Sequence, residues 1–313
     1  MDFRGFECFK KEGNWYKGNL HSHTTNSDGR ATPQEVADWY YRHGYDFLAI
    51  TDHDVITDVA PLQKEGFLVI PGIEFGYAPA EEPGFFLDML GIHMKELPEF
   101  LDPERKGRIT YNPDMSPQQI IDYLNENDGI AIMCHPYFMI NMTEPYLKYR
   151  DYVGVEAYNY VCEAIRGRGN QEIYWDTMLF RNKRLWGFAT DDSHAPEFGY
   201  GWIHVKAKEN TLPAILDAIR EGSFYSTTGI QIYDLEYTKE KVKIVFDRPC
   251  DVVFMAENGF VIRSYDNQQV LVDGRRRFYV EGDLTKIPNL KYLRLELVDS
   301  RGKKAYTNPV FFD

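Results

Sequence analysis

The chain has 313 residues, 43% hydrophobic and 27% charged, with a formal net charge of −13. This is enough for a barrel plus a small added domain, with the make-up of an ordinary globular protein. The negative charge argues against broad binding to nucleic acid, which rests on cationic contacts with phosphate, but not against a small phosphorylated substrate, because bound cations dominate the local field.

In chain order, Met1 to Glu7 has acidic residues and no apolar core like that of a signal peptide. No window approaches the ~18 apolar residues of a membrane span. Cys8, Cys134, Cys162 and Cys250 show no CxxC spacing, so a reducing, cytoplasmic setting is expected. Trp15 to Gly18 reads as a strand running into Asn19-Leu20-His21-Ser22-His23, with Asp28 five residues later. Thr32-Pro33-Gln34-Glu35 predicts a helix start, with threonine as N-cap and glutamate three residues on. That helix stops at Gly44, and His43 at its end suits the helix dipole.

Phe47 to Ile50 predicts a strand leading into Thr51-Asp52-His53-Asp54, and Phe67 to Ile70 leads to Glu74. A strand over Phe85 to Ile92 precedes His93. Ser116-Pro117-Gln118-Gln119 repeats the helix start, and that helix ends at Asp128-Gly129. Ile130 to Met133 leads to His135, and Val153 to Val155 leads to Glu156. A loop over 163–170, carrying Arg166 and Arg168, is expected to emerge beyond that strand. A helix over 173–182 is followed by Leu185 to Ala189, which runs into Asp191-Asp192-Ser193-His194. His204 lies in the strand Trp202 to Val205 as a packed or capping residue, and a last helix spans 212–221. Strand alternating with helix predicts a parallel α/β fold.

From about Ile230 the runs Val242 to Phe246 and Leu293 to Val298 alternate apolar and polar residues. Turn signals stand at Asp247-Arg248-Pro249, Asn258-Gly259, Asp273-Gly274 and Arg301-Gly302. This predicts an antiparallel sandwich of roughly 80 residues.

In an α/β barrel the C-terminal strand ends converge on one face. His21, His23, Asp28, His53, Glu74, His135, Asp192 and His194 all follow strand-like runs, which points to a polynuclear metal site. His21 and His23 share one side of an extended segment, Asp192 and His194 repeat that spacing with mixed donors, and Glu74 suits bridging two cations. Asp52 and Asp54 either orient imidazoles or are loop residues; Glu156 either orients a ligand or is structural.

The string His21-Ser22-His23-Thr24-Thr25-Asn26-Ser27-Asp28-Gly29, with Ile50-Thr51-Asp52-His53, resembles the opening motifs of the PHP (polymerase and histidinol phosphatase) family. Pro71-Gly72-Ile73-Glu74, Cys134-His135-Pro136 and Asp191-Asp192-Ser193-His194 resemble its later motifs, in the same order. The resemblance covers about residues 15 to 229, and the tail from Arg294 to Pro309 is similar to the small β-domain of two-domain members. It implies a distorted (β/α)7 TIM-like barrel over 1–229, then a small antiparallel Ig-like β-sandwich over 230–313. It also implies two or three divalent metal ions (Zn, Mn, Fe or Mg).

By that resemblance, His21, His23, Glu74 and Asp192 hold one ion. Glu74 bridges to a second, also bound by His135, and Asp28, His53 and His194 hold a third. Where the family usually reads His-x-Leu-Gly, this chain reads Asp88-Met89-Leu90-Gly91. Asp88 by register, or His93 instead, is expected to complete the second site.

Such a site suits phosphate esters, whose transition state carries charge that fixed cations stabilise. The expected reaction is attack of a metal-bridging hydroxide on phosphorus in a phosphomonoester or phosphodiester, with Asp192 and His194 as catalytic proton carriers. Arg166 and Arg168 are expected to grip phosphate, or else to lie on a solvated loop. Tyr137, Phe138, Tyr158 and Tyr160 either stack on substrate or pack. The expected partner is a small phosphorylated molecule, without a membrane. Rival readings are a nuclease for short oligonucleotides, a metal-dependent amidohydrolase, and a binding module with a structural metal. The motif Ser27-Asp28-Gly29 is untypical of the amidohydrolases. The ligand set is too small to close three ions, as structural sites are closed.

Overall fold

Two capping boxes start the first long helices of a computed structural model that describes residues 6–78, 86–98, 116–138, 144–195, 199–238, 240–257, 261–287 and 290–312. The order begins β1 (Asn14–Asn19), α1 (Pro33–Arg42), β2 (Phe47–Ile50), β3 (Leu68–Tyr77), β4 (Leu87–Ile92), α2 (Pro117–Glu126) and β5 (Ile130–Met133). It continues with α3 (Glu144–Lys148), β6 (Gly154–Asn159), α4 (Tyr160–Arg166), α5 (Glu172–Phe180), β7 (Trp186–Thr190), β8 (Trp202–Ala207), α6 (Leu212–Arg220) and β9 (Phe224–Thr227). Nine more strands follow: β10 (Ile232–Tyr237), β11 (Lys241–Phe246), β12 (Cys250–Ala256), β13 (Val261–Ser264), β14 (Gln268–Val272), β15 (Arg275–Asp283), β16 (Tyr292–Asp299), β17 (Lys304–Thr307) and β18 (Val310–Phe311).

The fold is mixed α/β. β1–β2–β3 and β5–β6–β7 pair in parallel. Strands β2, β5 and β7 are buried along their whole length, as parallel strands covered on both faces are, whereas β1 is buried only at Gly18 and Asn19. In β2, Phe47 and Ala49 join the core that also holds Ile132, Val155 and Phe188, while Leu48 and Ile50 face Val36, Ala37 and Tyr40 of α1. Helix α1 starts there because Thr32 Oγ1 accepts the Glu35 amide while Glu35 accepts from the Thr32 amide at 2.8 Å.

Three expectations need correction. β3 does not stop near Ile70 but runs to Tyr77, pairing in parallel with β2 over its first half and antiparallel with β4 over its second. β4 is antiparallel to both neighbours, so the sheet is not wholly parallel. Nine residues separate Tyr77 from Leu87, too few for the crossover that parallel strands need. Finally, the expected loop over 163–170 begins as helix: α4 ends at Arg166, capped by the Asn159 side chain before and by left-handed Gly167 after. The expected turn at Asn258-Gly259 and Phe85 of the expected strand lie outside the described residues.

Beyond β1 the same sheet continues antiparallel through β8, β9, β17, β16, β12 and β13. A second sheet runs β10–β11–β15–β14. Leu235, Val242, Ile244 and Val280 from the second sheet share one core with Val252, Phe254, Leu295 and Leu297 from the first. At the far end, β1 and β7 meet through a single parallel bridge, Ser22 to Ser193, just past both strands.

Candidate metal centre

The parallel strands β1, β2, β5 and β7 deliver their donors just beyond their C-terminal ends. His21 and His23 follow β1, His53 follows β2, His135 follows β5, and Asp192 and His194 follow β7. Glu74 lies inside β3 and still reaches the cluster, bridged to His53 in backbone register. The antiparallel run of β4 brings its N-terminal residue, Asp88, to this face and carries His93 to the opposite end. There His93 Nδ1 lies 3.3 Å from the Asp128 carbonyl.

The innermost set is tight. His21 Nε2 lies 3.1 Å from His23 Nε2, 3.1 Å from Glu74 Oε2 and 3.2 Å from Asp192 Oδ1. His23 Nε2 lies 3.1 Å from the same glutamate oxygen and 3.2 Å from the same aspartate oxygen. Four donors about 2.0 Å from a common centre would stand roughly 3.3 Å apart in a tetrahedron, so these spacings fit one small cation. All four residues are buried. Buried lone pairs facing one another need a proton or a cation between them, and Asp192 Oδ1 has no hydrogen-bond partner.

A second set gathers His23, Asp28, His53 and His194, and a third gathers His21, Glu74, Cys134 and His135. In the second, Asp28 Oδ1 lies 3.3 Å from His194 Nε2 and 3.7 Å from His53 Nε2. His135 Nε2 lies 3.1 Å from Glu74 Oε1, so Glu74 turns one oxygen toward each neighbouring set. Asp88 Oδ2 stands 3.9 Å from His135 Nδ1, which has no partner. It lies beside the three compact sets rather than within them.

Protons occupy this cluster when no cation does. Burial opposes protonation of His23, but Asp192 and Glu74 outweigh it and push the imidazole up to about 9. For His135 burial is again overcome, chiefly by Glu74, and its pKa rises to about 10. His53 goes the other way: burial lowers it to about 4. Burial raises the Asp88 carboxyl, and the nearby Glu74 charge raises it further. At Asp28 burial is outweighed by His194 and the other imidazoles, which bring it down to about 2.

The supporting residues are better defined here than in the sequence. Glu156 is fully buried and accepts from His21 Nδ1 at 2.7 Å, Thr190 Oγ1 at 2.6 Å, the His135 amide at 2.9 Å and Asn159 Nδ2 at 2.8 Å. It orients one imidazole and the backbone of another, which is how a carboxylate fixes the free nitrogen of a ligand. Asn159 also donates to Asp192 Oδ2 at 3.0 Å. Asp52 touches no imidazole. It accepts from the Thr24 amide, Thr24 Oγ1, Ser27 Oγ and Thr57 Oγ1, which shapes the loop before Asp28. Gly29 is required in that loop, because a Cβ there would lie 2.6 Å from the His23 carbonyl carbon.

Asn159, Thr190 and Asp191 carry no spacing that marks a role for them in the sequence. Asp191 accepts the amides of Gly199, Tyr200 and Gly201 and the Tyr40 hydroxyl, pinning the chain beyond His194. The available signal was a run of polar residues directly after an apolar strand. Asp192 itself sits at φ 52, a left-handed conformation that aspartate tolerates but that costs energy at a functional position. His43 stacks on Trp39, and His204 stacks on Tyr225 and accepts from Trp202; both lie apart from the centre. Asp54, also at positive φ, donates its amide to the Glu74 carbonyl.

Of the two arginines, Arg166 is exposed and lies over the Phe138 ring at 4.3 Å, and Phe138 meets the His135 ring at 5.7 Å. Arg168 lies over Tyr137 at 5.3 Å, and its Nη1 is buried without a partner, as is Nε2 of Gln171.

No family model matches the chain. Its fold matches a two-domain protein from Bacteroides vulgatus containing a predicted PHP-like metal-dependent phosphoesterase, with a TM-score of 0.51 and 16% identity over 95% of both chains. The likeness over nearly the whole of both chains shows a shared fold. Over 62 residues, 18% of this chain, it is 40% identical to the 5'-3' exoribonuclease Rnm of Escherichia coli. Over 99 residues, 32% of this chain, it is 32% identical to the DNA polymerase/3'-5' exonuclease PolX of Bacillus subtilis. These matches span 21% and 16% of the two relatives' own lengths.

Proposed function

We propose that this protein is a metal-dependent hydrolase of phosphate esters, acting on a small phosphorylated molecule. The observation that carries this reading is the set His21, His23, Glu74 and Asp192, whose buried donor atoms stand 3.1 to 3.2 Å apart, the spacing of ligands around one small cation. Divalent ions held there and in the two neighbouring sets would supply an acidified water and offset charge on phosphoryl oxygens.

The chain's own groups divide the remaining work. Asp28, His53 and His194 join His23 in the second set, and His135 with Glu74 joins His21 in the third. Asp88 adds a carboxylate beside His135, which favours a hard cation such as manganese or magnesium there over zinc. Asp192 and His194 are the proton carriers. Asp192 is held by Asn159 on one oxygen, and the His194 side chain is 29% exposed, which suits passing a proton to a departing alkoxide. Arg168, with Arg166 beside it, is the group assigned to grip the phosphate; Arg168 Nη1 and Gln171 Nε2 are buried donors without a hydrogen-bond partner.

The nuclease names of the two partial relatives add short oligonucleotides to the candidate substrates. We also read the Ser22–Ser193 bridge as the seam of a distorted seven-stranded barrel over 1–229. The two sheets that share a core would then be a β-sandwich over 230–313. The test is a panel of phosphomonoesters, phosphodiesters, short oligonucleotides and amides offered to protein reconstituted with zinc or manganese. Turnover confined to phosphate esters and lost in His21→Ala and Asp192→Asn supports the reading. Amide turnover alone, or turnover that survives both substitutions, overturns it.

A further inference from the structure

We infer that the C-terminal β unit positions the substrate side of the metal centre, acting through Glu172 in the first turn of α5. Its consequence for substrate rests on the phosphate-ester reading; its structural basis does not.

The connection is continuous. Tyr306 of β17 is fully buried and donates its hydroxyl to Glu172 Oε1 at 2.9 Å, and Lys304 Nζ pairs with the same oxygen. Lys304 also reaches Glu296 at 3.0 Å. One helical turn on, Arg294 of β16 is fully buried, lies over the Trp175 ring at 4.6 Å and donates twice to Asp176, at 2.7 Å each. A bidentate pair of this kind fixes angle as well as distance. Three groups from the C-terminal strands therefore hold one face of α5.

The residue before Glu172 carries that hold into the site. Gln171 is fully buried, donates its amide to the Ala157 carbonyl of β6 and accepts the Tyr137 amide on Oε1 at 2.9 Å. Tyr137 stands two residues after His135 and carries Arg168 over its ring. The path between α4 and α5 has little slack. The Gly169 carbonyl accepts the Asn159 amide, its own amide goes to Glu163, and a Cβ at Gly169 would lie 2.4 Å from the Glu163 Cβ. A shift of Glu172 thus moves Gln171, and with it the Tyr137 backbone and Arg168. Tyr306 and Lys304 are positioning residues that touch no reacting group.

The test uses the full chain and two variants, Tyr306→Phe and Lys304→Met, with Val252→Ala as a control that disturbs the C-terminal core away from Glu172. Hydrogen exchange at the Tyr137 amide is the direct readout, and binding of inorganic phosphate to manganese-loaded protein is the second. Both variants are expected to speed Tyr137 exchange about two- to tenfold and to weaken phosphate binding by a similar factor, with manganese binding unchanged and the control unmoved. Unaltered Tyr137 exchange in both variants, or equal acceleration in Val252→Ala, would overturn the inference. Wild-type protein that binds manganese but not phosphate would defeat the phosphate-ester reading, and Tyr137 exchange would still decide this one.

Discussion

The two nitrogens of His23 face different tasks. Nε2 joins the tight donor set, while Nδ1 has no partner and stands 3.8 Å from Asp28. Without a cation, His23 and His135 keep protons up to about 9 and about 10, against ~6.5 for a free imidazole. The folded, metal-free protein thus binds more protons than the unfolded chain between those limits, and that stabilisation drains away as pH rises. His53, lowered to about 4, acts in the opposite sense but only below ~6.5. Chelator-treated protein should therefore melt at a lower temperature at pH 9 than at pH 6.5. Metal affinity should rise over the same interval as protons are displaced; a melting temperature that is flat or rising would contradict this. Glu156→Gln, which disturbs the partner of His21 Nδ1, should weaken metal binding about 10- to 100-fold in a chelator competition. Unchanged affinity would reduce Glu156 to a packing role. The imidazoles and carboxylates were legible because motif spacing and strand ends mark them. Asn159 and Asp191 were not, because their meaning lies in partners 33 residues away or on another element.

At the scale of elements, strand positions could be read from apolar runs, but strand direction could not. The run Leu87 to Ile92 reads the same whichever way β4 runs. Only the nine-residue link from Tyr77 fixes the antiparallel sense, and that sense separates Asp88 from His93. Asp88→Ala should accordingly reduce the number or affinity of bound manganese ions, while His93→Ala leaves both unchanged; calorimetric titration distinguishes them, and the reverse pattern would sink the assignment. Helix α1 was legible down to its caps. Thr32→Ala should cost about 1 kcal/mol of stability in denaturant unfolding without altering metal binding, since its side chain faces only Glu35. Helix α4 escaped notice because seven residues carry too little periodicity, although Asn159 and Gly167 are the caps such a helix needs.

At the scale of the whole molecule, the change of texture near Ile230 marks where strands stop alternating with helices, but the main sheet does not stop there. β9 pairs with β17, joining the two parts of the chain through one ladder. Long-range pairing of this kind leaves no local trace in sequence, nor does the pair of buried Arg294 with half-buried Asp176 across 118 residues. Among the described residues no helix is long and apolar enough to cross a membrane. What unifies the molecule is the proposal that donors from six strands, β1 to β5 and β7, together with Asp28, meet around shared divalent ions. Anomalous diffraction from crystals soaked in zinc or manganese tests that claim most directly. The expected result is a peak about 2.0 to 2.2 Å from His21 Nε2, His23 Nε2, Glu74 and Asp192, with further density beside His135 or Asp28. Soaked crystals with no anomalous peak among these side chains would contradict it.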